Sequence, residues 1–145
     1  MATNRLKQQS VLIGGICALC IILLFLYLKN LQTSYVLYTH FYNHIFLAAA
    51  VFISLYSLNA KAGPLSYLDG LFEGFKTAAS CALLSNFFLL IYFYFVNPIY
   101  FLNMRTDTLL GDYMTPIIVS LVFFTEEVCA GLIYSLISMQ FFKLS

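Results

Sequence analysis

IIVSLVFFTEEVCAGLIYSLISMQFF, residues 117–142, is long enough to cross a bilayer as one helix, yet it carries the adjacent carboxylates Glu126 and Glu127 near its middle. An acidic side chain at the centre of a membrane helix costs about 2.5–3.5 kcal/mol on insertion scales, whereas each Leu, Ile, Phe or Val returns about 0.3–0.6 kcal/mol. The two glutamates therefore roughly cancel the apolar residues around them. Insertion requires that they be protonated, paired, or turned toward neighbouring helices or water. Successive residues on a helix point about 100° apart, so one carboxylate is expected to face inward and the other a seam, a partner or a water-filled notch. Burial and mutual repulsion lead us to expect at least one of them to carry its proton near neutral pH.

The rest of the chain reads as the means of holding this helix. In 145 residues, 62% are hydrophobic and 9% charged, which lies outside the range of water-soluble domains and points to a membrane protein. At about 20 residues per crossing, that length accommodates four spans with short loops, in one domain over residues 1–145. The expected spans are about 11–28, 38–58, 77–97 and 117–142, so the fold class is an all-α, polytopic four-helix membrane bundle. A net charge of +1 supplies no basic footprint for nucleic acid.

Residues 1–10 are polar, and the apolar run from Val11 to Leu28 exceeds the usual signal-peptide core and lacks an A-x-A-like cleavage site. We expect a retained first span. Gly14 and Ala18 give it small-xxx-small spacing, which suits close packing within this chain better than self-association. The four cysteines lie in apolar segments, and Cys17-x-x-Cys20 sits inside a span, where small packing residues are a better reading than redox or metal chemistry.

The start of the second span is rich in tyrosine (Tyr35, Tyr38, Tyr42), as expected of an interfacial aromatic belt in a chain without tryptophan. His40 and His44 share a helical face there. They are weak candidates for a metal, with Asp107 and Asp112 as the nearest conceivable further ligands, and polar interfacial histidines are the favoured reading. Nothing else calls for a cofactor. Farther along, Ala50, Ser54 and Ser57 offer a small polar edge to another helix.

Gly63-Pro64 breaks the chain, and Ser66-x-x-Asp69 resembles a capping box. Leu68, Leu71, Phe72 and Phe75 then recur at helical spacing, with Asp69, Glu73 and Lys76 on the other side. This predicts an amphipathic helical connector before the third span, lying on the membrane surface or extending that span outward, with Asp69, Glu73 and Lys76 as candidates to meet a partner. Gly70 and Gly74 form a G-x-x-x-G within it. The third span ends at Asn97-Pro98. Asn86, near its middle, is the best internal candidate to hydrogen-bond a glutamate of the fourth span, and Pro116 opens that span.

Four spans put both termini on one side, which holds Arg5, Lys7, Lys61, Lys76 and Lys143 against Lys29 and Arg105 on the other. That balance predicts cytoplasmic termini.

The early Gly14-Gly15, the stretch Gly63-Pro64-Leu65-Ser66-Tyr67, the Phe75-Lys76 step and an aromatic third span together resemble domain of unknown function 4199, a group of small four-span inner-membrane proteins of the Bacteroidetes. The resemblance covers nearly the whole chain and implies a bacterial inner-membrane protein with no particular activity. The acidic pair of the fourth span is not part of that pattern. No G-x-S-x-G, H-E-x-x-H or phosphate-binding glycine loop is present, so an enzyme is not expected. Two functions remain: a non-enzymatic scaffold or accessory subunit whose polar membrane groups are met by another membrane protein or by a second copy, or an oligomeric proton-coupled transporter or channel using Glu126 and Glu127.

Overall fold

The computed structural model describes residues 2–30, 36–63, 66–106 and 111–144. It is all-helical. The order is α1 (Ala2–Asn30), α2 (Val36–Ala62), α3 (Tyr67–Ile91), a π-helical turn (Tyr92–Val96), a short α4 (Pro98–Thr106), a 3-10 turn (Gly111–Tyr113) and α5 (Pro116–Leu144). Four helices are long and apolar enough to cross a membrane, over Gln8–Lys29, Tyr42–Lys61, Tyr67–Val96 and Pro116–Phe142. They pack as an up-down-up-down bundle in which α3 is central, lying against α1, α2 and α5.

Local chemistry sets the helix ends. Gly63 closes α2 with φ +83°, a left-handed conformation that glycine adopts without steric cost, and its N–H donates to the Asn59 carbonyl at 3.1 Å. Ser66 caps α3: its Oγ accepts from the Asp69 N–H at 3.2 Å and lies 2.6 Å from the Asp69 carboxylate. The π turn ends where Asn97 N–H donates to the Tyr92 carbonyl at 2.9 Å, just before Pro98.

The amphipathic segment is continuous with the third span, and its polarity is inverted relative to a water-soluble helix. Leu68 and Phe72 are 75% and 61% exposed. Glu73 is 13% exposed and Lys76 partly buried. In a bilayer the solvent outside the bundle is hydrocarbon, so the apolar side of α3 turns outward and its polar side turns in. Glu73 thus faces a sister helix, accepting from Ser10 of α1, a different placement from the surface expected of it, whereas the Lys76 ammonium lies on Glu73 and 4.9 Å over the exposed Phe72 ring; Asp69, at the helix start, is exposed.

The same inversion shapes the middle of the interior. Small or hydroxylic side chains are buried there, Ala18, Ala50, Ala78, Ala82, Cys17, Cys81, Ser54, Thr77, Ser85 and Ser135, beside the larger Leu47, Val51 and Leu55. Large residues such as Leu12, Leu23, Phe87 and Ile133 are exposed. Small interfaces let helix backbones approach closely, which is how membrane helices gain packing energy when lipid is as apolar as leucine.

The closest approach is between α3 and α5. Gly70, Gly74 and Ala78, one helical turn apart on α3, oppose Met139, Ser135 and Gly131 on the antiparallel α5. A Cβ on any of the three glycines would overlap the residue opposite. G-x-x-x-G is therefore an intrachain seam. On α1, Gly14 abuts the Thr77 carbonyl and Ser80 of α3 in the same way. At the opposite end of the bundle, Phe25, Phe88, Tyr92, Phe93 and Phe101 form an aromatic cluster, with the Lys29 ammonium 4.8 Å from the Tyr92 ring centroid.

Candidate functional site

One turn beyond Gly131, the α3/α5 seam brings Glu127 against α3. Glu127 is 7% exposed. Its Oε2 lies 2.9 Å from Ser85 Oγ and 3.3 Å from Asn86 Nδ2, both positioned to donate. Each donor also has a backbone acceptor within its own helix, Cys81 O at 2.9 Å for Ser85 and Ala82 O at 2.9 Å for Asn86. The carboxyl group is held by hydrogen bonds to side chains of the same chain, and Asn86, singled out from depth alone, is one of its partners. Ser85 is the nearer one.

Glu126 points elsewhere. It is 44% exposed and lies at the seam between α5 and α2, where its Oε1 is 3.0 Å from Nε2 of His44, itself 28% exposed. The other ring nitrogen, Nδ1, is buried without a hydrogen-bond partner. Of the two ring nitrogens, it is Nε2 that meets the carboxylate. The His44 ring also meets Tyr134 edge-on, with centroids 6.4 Å apart. The two adjacent carboxylates thus lie in different surroundings, one inside the bundle and one on its membrane-facing surface.

The inverted side of α3 builds a second polar cluster, toward the end of the bundle that holds the start of α1 and the end of α2. Lys76 Nζ is 2.7 Å from Glu73 Oε1, and Ser10 Oγ of α1 donates to Glu73 Oε2 at 2.8 Å. Ser54 of α2 donates to Ser10 at 3.2 Å, and Thr77 of α3 lies 3.0 Å from Ser54. Gln9 bonds Ser57 and accepts from Lys61 at 3.0 Å. Three helices are thereby cross-linked around one ion pair. The sequence alone does not reveal this cluster, because the polar side of α3 reads equally well as a membrane-surface or partner-facing side; the recurrence of Ser10, Ser54 and Thr77 within apolar runs is the signal it offers.

No group of three or more His, Cys, Asp or Glu side chains able to hold a metal occurs among the described residues. His44 is engaged with Glu126. The side chains of His40 and Asp112, and the whole of Asp107, lie outside the described residues. Compared with protein-family models, with curated proteins and with solved structures, the chain matches none. The family resemblance drawn above rests on its motif and hydropathy profile alone.

Proposed function

We propose that this small four-span membrane protein is a non-enzymatic scaffold or accessory subunit, assembling with another membrane helix across the α2/α5 face. One observation carries this reading: the Glu126–His44 pair lies partly exposed on a surface that otherwise suits hydrocarbon. A carboxylate facing lipid costs about 2.5–3.5 kcal/mol, and a helix packed over the pair takes it out of hydrocarbon. Glu127, buried inside the bundle against Ser85 and Asn86, makes no such demand. The basic-residue balance supports cytoplasmic termini, and the family resemblance supports a bacterial inner membrane.

The test is assembly of glutamate variants in a mild detergent. Glu126→Gln keeps shape and hydrogen bonding and is expected to retain the assembled particle. Glu126→Leu leaves His44 unpaired at the interface and is expected to weaken assembly, whereas Glu127→Leu is expected to spare it. Loss of assembly only at Glu127 would overturn the reading.

A second reading, an oligomeric proton-coupled transporter or channel, draws on the contiguity of Glu127, Glu126 and His44, a run of titratable groups within the membrane. It predicts that the double Glu126→Gln, Glu127→Gln variant stays assembled but loses pH-dependent flux in proteoliposomes; flux unchanged in that variant would remove it.

A further inference from the structure

Ser85 has one hydroxyl hydrogen and two short oxygen contacts. Its Oγ lies 2.9 Å from the Cys81 carbonyl, one turn back on α3, and 2.9 Å from Glu127 Oε2. Both separations are those of an O–H···O hydrogen bond, and each such bond needs a hydrogen of its own. An ionised Glu127 has none to give, so one of the two contacts would be a bare approach of oxygens. The carboxyl group is otherwise poorly supplied for a charge. Asn86 Nδ2 reaches the same oxygen at 3.3 Å while serving the Ala82 carbonyl at 2.9 Å. Among the described residues no donor meets Oε1, and no cation lies within ion-pair distance of Glu127. Glu73 shows what a charged glutamate receives in this bundle: the Lys76 ammonium at 2.7 Å on one oxygen and the Ser10 hydroxyl at 2.8 Å on the other.

We propose that Glu127 is a proton-binding site: a neutral carboxylic acid whose proton lies on Oε2 and is donated to Ser85 Oγ. Every hydrogen then has an acceptor. The acid gives its proton to Ser85, and Ser85, accepting from Glu127 rather than donating to it, gives its own to the Cys81 carbonyl. Asn86 divides its amide hydrogens between the Ala82 carbonyl and Oε2, and the longer contact falls on the hydroxyl oxygen of the acid. The adjacency of Glu126 and Glu127 asks for a proton on at least one of the pair, and these contacts place it on the inner one. The titratable groups around Glu127 are Cys81 of α3, with Cys17 of α1 beside it, His44 of α2 and Glu126 of α5. His44 is engaged with Glu126 at 3.0 Å, and a thiol is no cation, so none of them supplies the partner that an ionised Glu127 would need. Taking an unpaired carboxylate out of water is far costlier than burying a hydrogen-bonded acid. The inference does not depend on the assembly reading, which concerns Glu126.

The chain has three glutamates, Glu73, Glu126 and Glu127, so infrared spectroscopy of protein carrying isotope-labelled glutamate reads them apart from the aspartates. In liposomes at neutral pH, the unsubstituted protein is expected to show an isotope-sensitive C=O stretch of a protonated carboxyl group. That band is expected to survive Glu126→Gln and to vanish in Glu127→Gln. Ser85→Ala removes the acceptor of the proton, and is expected to keep the band while moving it to higher frequency, as befits an acid that has lost a hydrogen bond. Where Glu127→Gln fails to fold, the Ser85→Ala shift identifies the band, since Ser85 bonds neither Glu73 nor Glu126. Absence of the band at neutral pH, its persistence in Glu127→Gln, its loss in Glu126→Gln, or a band that Ser85→Ala leaves unmoved would overturn the proposal.

Discussion

Moving one methyl group across the α3/α5 seam tests whether these helices meet as described. Gly131→Ala places a Cβ on top of the Ala78 Cβ, far inside the roughly 3.5–4.0 Å of an ordinary carbon contact. The conflict involves a short side chain that cannot rotate away, so the helices must separate. Overpacking of this kind costs about 1–3 kcal/mol. Ala78→Gly alone loses a buried methyl and a helix-favouring residue, at about 1 kcal/mol for the propensity. In the double variant the nearest remaining atom to the new Cβ is the Cα of residue 78, at 3.5 Å. The methyl then occupies the space vacated, and the double variant should recover to within about 0.5 kcal/mol of the parent, a large favourable coupling for a contacting pair. Titration of the detergent-solubilised protein with a denaturing detergent, followed by circular dichroism, measures all four corners. A double variant as unstable as the sum of the two singles would refute the seam.

Three further substitutions probe the two polar clusters by the same assay. Ser10→Ala should cost about 1–3 kcal/mol, since it removes the hydroxyl between Glu73 and Ser54 and leaves both short of a partner in the interior; a loss no larger than at exposed Cys20→Ala would count against the cluster. Lys76→Met should destabilise more than the Lys76→Met, Glu73→Gln pair, because the single change strands a mostly buried carboxylate whereas the pair removes both charges; the reverse order would show that the ion pair is not inside the bundle. Glu127→Leu should cost less than about 1.5 kcal/mol, because Ser85 and Asn86 retain the Cys81 and Ala82 carbonyls as acceptors; complete loss of the folded protein would mean that they depend on the carboxylate.

Hydropathy made the four crossings legible because each is long and predominantly apolar, and the breaks at Gly63, Asn97-Pro98 and Pro116 follow from backbone chemistry that neighbours cannot override. The division of labour between Glu126 and Glu127 was legible too, since a helix cannot aim adjacent residues the same way. The sense of α3 was harder to read. Its alternation of Leu68, Leu71, Phe72 and Phe75 with Glu73 and Lys76 defines two sides, but which side faces in depends on whether water or lipid lies outside, and a segment at the edge of a span leaves that open. The role of Gly70 and Gly74 was hidden for a different reason. Small-xxx-small spacing shows that some backbone comes close, and only the antiparallel register with Gly131, Ser135 and Met139 says that it belongs to the same chain. His44 was considered with His40 because the two share a helical face, whereas its partner is Glu126, 82 positions away.

The assembly reading is tested most directly by the mass of the intact particle, extracted in a mild detergent and measured by native mass spectrometry. The account predicts a particle containing more than one chain. A lone 16.5 kDa chain, stable and folded with Glu126 and His44 left at its surface, would contradict it.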